Sequence, residues 1–153
     1  MKTILAPVDF SSATDAVVAE AARLALAIQG QVVLLSVIQP PVITSEYAPL
    51  MENMAEITAA GEKAAAKHLG RLQDTLRAQG VSNTAVQLNG APIPHIIEQA
   101  KKFAADYIVM GSHGHTALYD LLVGSTTHGV LLRATCPVVI VPARNGRRVA
   151  DLR

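Results

Sequence analysis

Hydrophobic positions along the chain alternate between continuous apolar runs and runs with helical spacing. Residues 3–8 (TILAPV) form a mostly apolar run that stops at Asp9. Such a run suits a strand covered on both faces. Val17, Ala21, Leu24 and Ile28 then recur at spacings of four, three and four, on one face of a helix. Ser11 or Ser12 is expected to cap that helix, and Gly30 to end it. Residues 32–38 (VVLLSVI) predict a second buried strand, stopped by Pro40 and Pro41. Residues 42–56, with Pro49, Met51 and Met54, read as a loop leading into a helix. The buried face of that helix is marked by Ala65, Leu69, Leu72 and Leu76, and Gly80 closes it.

The second half continues the alternation. Residues 84–88 (TAVQL) predict a third strand near a sheet edge, and Gly90 and Pro92 lead into a helix carrying Ile97, Ala100 and Ala104. Tyr107 to Met110 is a fourth strand that runs straight into Gly111. A helix near 125–134 and a last strand from Val138 to Val141, stopped by Pro142, complete the pattern. Strands separated by helices throughout predict one doubly wound α/β domain with a parallel sheet and right-handed crossovers. It is placed at residues 1–143. The remaining 144–153, with Arg144, Arg147, Arg148 and Arg153, read as a basic, solvated tail.

Composition narrows the partners. Half the residues are hydrophobic but only 3% are aromatic, so the core must be built from Ala, Val, Leu and Ile. A net charge of +1 supplies no basic field for nucleic acid or an anionic membrane. The single cysteine, Cys136, excludes an intrachain disulfide and reads as an inert thiol in an apolar stretch. No apolar run reaches the roughly 18 residues of a membrane span, and the first one lacks the form of a secretory leader. The expected compartment is the cytoplasm.

In doubly wound sheets, ligands collect outside the carboxyl ends of the strands, where the strand order reverses. Two strand ends carry residues unsuited to a core: Pro7-Val8-Asp9 after the first strand, and Met110-Gly111-Ser112-His113-Gly114 after the fourth. Gly111 and Gly114 allow positive φ and close backbone approach. Further on, Gly124-Ser125-Thr126 opens a helix, with Thr127 adding a third hydroxyl. Its free N–H groups and dipole suit a phosphate. Asp9 can accept hydrogen bonds from a ribose or an amide, or it can cap the helix that follows. Both roles stay open.

Other chemistries lack their residues. His113 and His115 form an H-x-H pair with His128 nearby, yet no Cys or carboxylate stands at ligand spacing, so no structural metal is expected. There is no G-x-S-x-G elbow and no G-x4-G-K-[ST] loop. The acidic cluster and lysine of a receiver domain are missing, as is an SGGxDS-type loop after the first strand.

The spacing Gly111, Gly114, Gly124, Ser125 reads G-x2-G-x9-G-[ST], with ILAPVDFS at the first strand and CPVVIVP at the last. In these segments the chain resembles the ATP-binding branch of the universal stress protein family, within the adenine nucleotide alpha hydrolase-like superfamily. The resemblance implies a five-stranded parallel sheet in the order 3-2-1-4-5. It implies that Gly111, His113, Gly114, Gly124, Ser125 and Thr126 surround a triphosphate. Pro7, Val8 and Asp9 would lie by the ribose and adenine, with Val37 against the base and Met110 lining the same pocket. ATP or another adenine nucleotide is the implied cofactor, arriving with Mg²⁺. A homodimer joined along Val138, Val139, Ile140 and Val141 is also implied, with a transporter or kinase as a possible protein partner.

Many family members have Arg where this chain has His113. Imidazole carries charge only towards acid pH, so binding is expected to be tighter at about pH 6 than at about pH 8. Equal affinity at both would remove the charged imidazole from the phosphate site. The reading that follows is an ATP-binding regulatory module of the stress response. The alternatives are a slow ATPase, for which the sequence offers no water-activating carboxylate beside the phosphates apart from Asp9 at some distance, and a nucleotide-independent interaction protein of the same fold.

Overall fold

The computed structural model describes residues 1–40, 53–113 and 123–142. The strands are β1 (Lys2–Pro7), β2 (Gly30–Ile38), β3 (Asn83–Asn89), β4 (Tyr107–Gly111) and β5 (Val138–Val141). The helices are α1 (Thr14–Ile28), α2 (Met54–Ala78), α3 (Pro92–Lys102) and α4 (Ser125–Arg133). The strands form one parallel sheet in the order β3-β2-β1-β4-β5, as expected. The basic tail and most of the loop expected at 42–56 lie outside the described residues.

The period-2 alternation of β1 divides the core. Ile4, Ala6 and Val8 join Val32, Leu34 and Val109 under α1 and α2. Leu5 joins Val33, Leu35, Ile108 and Met110 on the opposite face, against Ile96 and Ala100 of α3 and Val130 of α4. The buried residues of α2 are Ala65, Leu69, Leu72 and Leu76, the four predicted from spacing. β3 lies at an edge of the sheet, in keeping with its alternating sequence.

Several local expectations are corrected. Neither Ser11 nor Ser12 caps α1. Ala13 holds the cap position and has no capping side chain; the Ser11 hydroxyl instead accepts the Ala13 N–H at 3.4 Å, one position ahead of the helix, and the Ser11 carbonyl accepts the Thr14 N–H at 3.1 Å. Gly30 does not end α1 either. Gln29 takes the left-handed conformation at φ 55°, and Gly30 opens β2. A Cβ on Gly30 would lie 2.7 Å from the Lys2 carbonyl oxygen, so glycine is required there by the approach of β1. Ala104 lies past the end of α3 with φ 48°, and Ile96 supplies the buried contact instead.

Asp106, in the turn before β4, ties that turn to the start of β1. Its carboxylate accepts the Thr3 N–H at 2.8 Å and lies 3.4 Å from the Lys2 ammonium. The Thr3 hydrogen bond, with help from Lys2, holds the Asp106 carboxyl below its usual range. A carboxyl lowered on folding adds stability above its unfolded value, about pH 4, and loses it as pH falls through the folded value. Asp106→Asn is therefore expected to lower Tm at neutral pH and to reduce the further loss of Tm on acidification below about pH 4. Thermal melts across that range check both signs; parallel pH profiles for the two proteins would contradict the clamp.

Cys136 is partly buried against the α3–α4 face. Burial, and secondarily the charge of Asp106, pushes its thiol up. The thiol is accordingly kept protonated, in line with an unreactive cysteine.

Candidate functional site

The register between β1 and β4 pairs Ile4 with Tyr107 and Leu5 with Ile108. Beyond that, β1 turns to β2, with the Val8 N–H bonding the Leu35 carbonyl at 2.8 Å. β4 turns to β5, with Gly111 opposite Val141 and the Ser112 N–H bonding the Val141 carbonyl at 2.9 Å. The two strand ends part, and a cavity of about 230 Å³ opens between them. It lies at the switch point where an open parallel sheet of this order holds its ligands.

Of the residues singled out from sequence, Pro7, Val8, Asp9, Val37, Met110, Gly111, His113, Gly124, Ser125 and Thr126 all line this cavity. Gly114 lies outside the described residues, as do His115 and Asp120. Sequence reasoning assigned no site role to Thr14, Leu35, Gln39 or Ile96, which also line it. Periodicity carried the signal. Leu35 and Gln39 flank Val37 at two-residue steps, on β2 and just past its end, Ile96 follows Pro92 by one turn, and Thr14 precedes Val17 by one turn.

The lining is divided by chemistry. Leu35, Val37, Ile96 and Met110 give one apolar wall, from β2, α3 and β4. The lining also carries the polar residues Asp9, Ser11, His113, Ser125 and Thr126. Asp9 accepts the Ser11 N–H at 3.0 Å. Its capping role is thus played in the tight turn before α1 rather than at the helix itself, and it still borders the cavity.

The Gly124 end is built by hydrogen bonds across the loop. The Gly124 N–H bonds the Ser112 carbonyl at 2.6 Å. The Thr127 hydroxyl donates to the Gly111 carbonyl at 2.7 Å. Thr127 therefore fastens α4 to the end of β4 and does not present its hydroxyl at the helix start. Gly111 adopts no positive φ; it is a strand residue whose absent Cβ would lie 3.3 Å from the Ala13 Cβ. At Gly124 the cap is extended (φ −66°, ψ 164°), and no side chain caps α4. The first helical bond runs from the His128 N–H to the Gly124 carbonyl at 2.9 Å. The N–H groups of Ser125, Thr126 and Thr127 precede that bond and have no acceptor within the helix. With the helix dipole they leave donors and partial positive charge at the cavity edge, which suits an anion.

Two polar atoms of the lining, the Thr14 hydroxyl and Nδ1 of His113, are buried with no hydrogen-bond partner. Buried polar groups are normally paired, so orphans beside a cavity fit one that receives a polar ligand. Among the described residues no three His, Cys, Asp or Glu side chains gather as metal ligands. No helix among them is long and apolar enough to cross a membrane.

A doubly wound α/β domain with a crevice at its switch point and an uncapped helix start beside it belongs to the ligand-binding class of such folds. The profile of the universal stress protein family matches residues 1–142, and the chain belongs to that family. Universal stress protein A homolog 1 of Coxiella burnetii is 33% identical over 143 residues, covering 92% of this chain and 95% of that one. Protein MJ0577 of Methanocaldococcus jannaschii has a solved structure that superposes with a TM-score of 0.81 at 28% identity, covering 95% of this chain and 98% of that one. Two further structures share the fold at lower identity. A universal stress protein in complex with cAMP has a TM-score of 0.69 at 22% identity, covering 92% of this chain and 96% of that one. The other, from Archaeoglobus fulgidus in complex with dAMP, has a TM-score of 0.64 at 21% identity, covering 92% and 97%.

Proposed function

We propose that the chain is a nucleotide-binding regulatory module of the stress response that holds ATP, with Mg²⁺, in the crevice between β1 and β4. One observation carries this reading: the uncapped N-terminus of α4 opens at a cavity whose lining also includes a set of apolar side chains from β2, α3 and β4. An adenine nucleotide has that same division, with a flat apolar base at one end and anionic oxygens at the other. Leu35, Val37, Ile96 and Met110 would receive the base. Asp9 would accept from the ribose, and Gly124, Ser125 and Thr126 would receive the phosphates beside His113. Two proteins of this fold hold cAMP and dAMP.

Binding rather than turnover is favoured by the lining, in which Asp9 is the one carboxylate among the described residues, on the β1 side and already accepting the Ser11 N–H. The test is to mix γ-labelled ATP with excess protein and follow the label through one turnover. Label retained by the protein as intact ATP is the expected result. Stoichiometric phosphate release that disappears in Asp9→Ala would make the chain an ATPase.

A homodimer joined along Val138, Val139, Ile140 and Val141 is part of the proposal. β5 lies at the open edge of the sheet, its four residues are only half-buried, and Leu132 of the neighbouring α4 is 71% exposed. Pairing would cover an edge that otherwise invites aggregation. The cytoplasm is the proposed compartment, and a transporter or kinase remains the proposed kind of protein partner.

A further inference from the structure

Asp9 reaches the cavity from a turn with an unusual backbone. The next residue, Phe10, has φ 59°, a left-handed conformation that costs an aromatic residue energy and that glycine would adopt freely. Something must hold Phe10 there. Its ring is half-buried against the core under α1 and α2, and it stacks on the imidazole of His68, with centroids 4.8 Å apart and planes at 24°. His68 stands on the exposed side of α2, one residue before the buried Leu69. The chain thus places an aromatic pair between α2 and the turn whose first residue borders the cavity. The same turn is closed by the Asp9 carboxylate accepting the Ser11 N–H at 3.0 Å.

From this we infer that His68 is a positioning residue for the site: its stack on Phe10 holds the left-handed turn that sets the Asp9 carboxylate at the cavity. The inference deepens the proposed nucleotide site and rests on that reading for its effect on affinity, but not for its effect on the turn. It makes α2, through His68, a handle on the pocket, and it does so without contact between His68 and the ligand. The first eleven residues of α2, Met54 to Ala64, include none that is buried. The apolar anchor of the helix is Ala65, Leu69, Leu72 and Leu76, with Glu62 bonded to Gln87 and Asn89 of β3, and His68 bears on the turn from within that anchor.

Two readouts test it. The first uses the protein without nucleotide, as the exchange rate of the Ser11 amide in NMR. His68→Ala is expected to raise that rate several-fold relative to amides of the core strands, and His68→Phe, which keeps a stacking ring, to restore it. The second is affinity for ATP with Mg²⁺. His68→Ala is expected to weaken binding about threefold to tenfold and His68→Phe to leave it near wild type. In an Asp9→Ala background, His68→Ala should weaken binding no further, because its effect passes through Asp9. Unchanged Ser11 exchange in His68→Ala would overturn the inference, and so would equal losses of affinity in both backgrounds. If wild type binds no nucleotide, the proposed function falls while the Ser11 measurement still decides whether the stack holds the turn.

Discussion

Gly124→Val is expected to remove ATP binding, raising Kd at least about a hundredfold, while leaving the protein folded. The backbone at Gly124 is extended, with φ −66°, so a β-branched residue is conformationally allowed. What it lacks is room. Its Cβ would stand 3.3 Å from the Ser112 carbonyl oxygen and 3.6 Å from the His113 Cα, with the His113 Nδ1 at 3.9 Å. The added methyl groups would therefore occupy the mouth of the α4 N-terminus, where phosphate oxygens must meet the N–H groups of Ser125 and Thr126. Charge-assisted hydrogen bonds of that kind are worth about 1.5–3 kcal/mol each, and losing two accounts for a hundredfold or more. Losing the glycine as cap should cost only about 1 kcal/mol of stability, because no side chain caps the helix in the native protein. Calorimetry with ATP and Mg²⁺, paired with circular dichroism and a thermal melt, separates lost binding from lost fold. Wild-type affinity in Gly124→Val would remove the α4 N-terminus from the site.

The largest effect on stability is expected from Leu76→Ala, a loss of about 2–5 kcal/mol. Leu76 is fully buried, and its place on α2 makes it hard to replace. The 25-residue helix has four buried side chains, none before Ala65, and Leu76 is the last of them. It also lies at a junction of backbone bonds, since the Leu76 carbonyl accepts the Val81 N–H at 2.9 Å and the Gln79 N–H at 3.1 Å. These bonds turn the chain from α2 towards β3 and fix the route by which it enters the sheet. Truncation leaves a cavity that can close only if α2 shifts, and such a shift is resisted by that turn. Urea unfolding with unchanged m-value measures the loss. A change below about 1 kcal/mol would mean that α2 repacks freely.

What could be read from sequence followed from periodicity, and what could not followed from close approach in space. The helical spacing of Ala65, Leu69, Leu72 and Leu76 identified one buried face, and the run Val138 to Val141 bounded by prolines gave β5. These patterns depend only on neighbours along the chain. The role of Gly30 depends on Lys2, twenty-eight positions away, whose carbonyl leaves no space for a Cβ. Nothing local distinguishes that from a helix cap, and Gln29 takes the left-handed position although glycine is the usual residue. Phe10 at φ 59° was equally illegible, because the contact that offsets its strain comes from α2.

At the site, glycine and hydroxyl residues were legible as a motif, while the apolar wall was legible only in part. Val37 and Met110 came from family resemblance. Leu35 and Ile96 share their faces by period and were available from the sequence once those faces had been assigned to the cavity. Thr127 shows the limit of motif reading. It is a hydroxyl in the right stretch, yet the structure uses it to bind the Gly111 carbonyl.

The most direct test of the nucleotide reading is a calorimetric titration of the purified wild-type chain with ATP in the presence of Mg²⁺. Saturable binding of one nucleotide per chain is the predicted result. A folded protein that gives no binding heat, and whose melting temperature is unmoved by millimolar ATP, would contradict it and leave a nucleotide-independent interaction protein of the same fold.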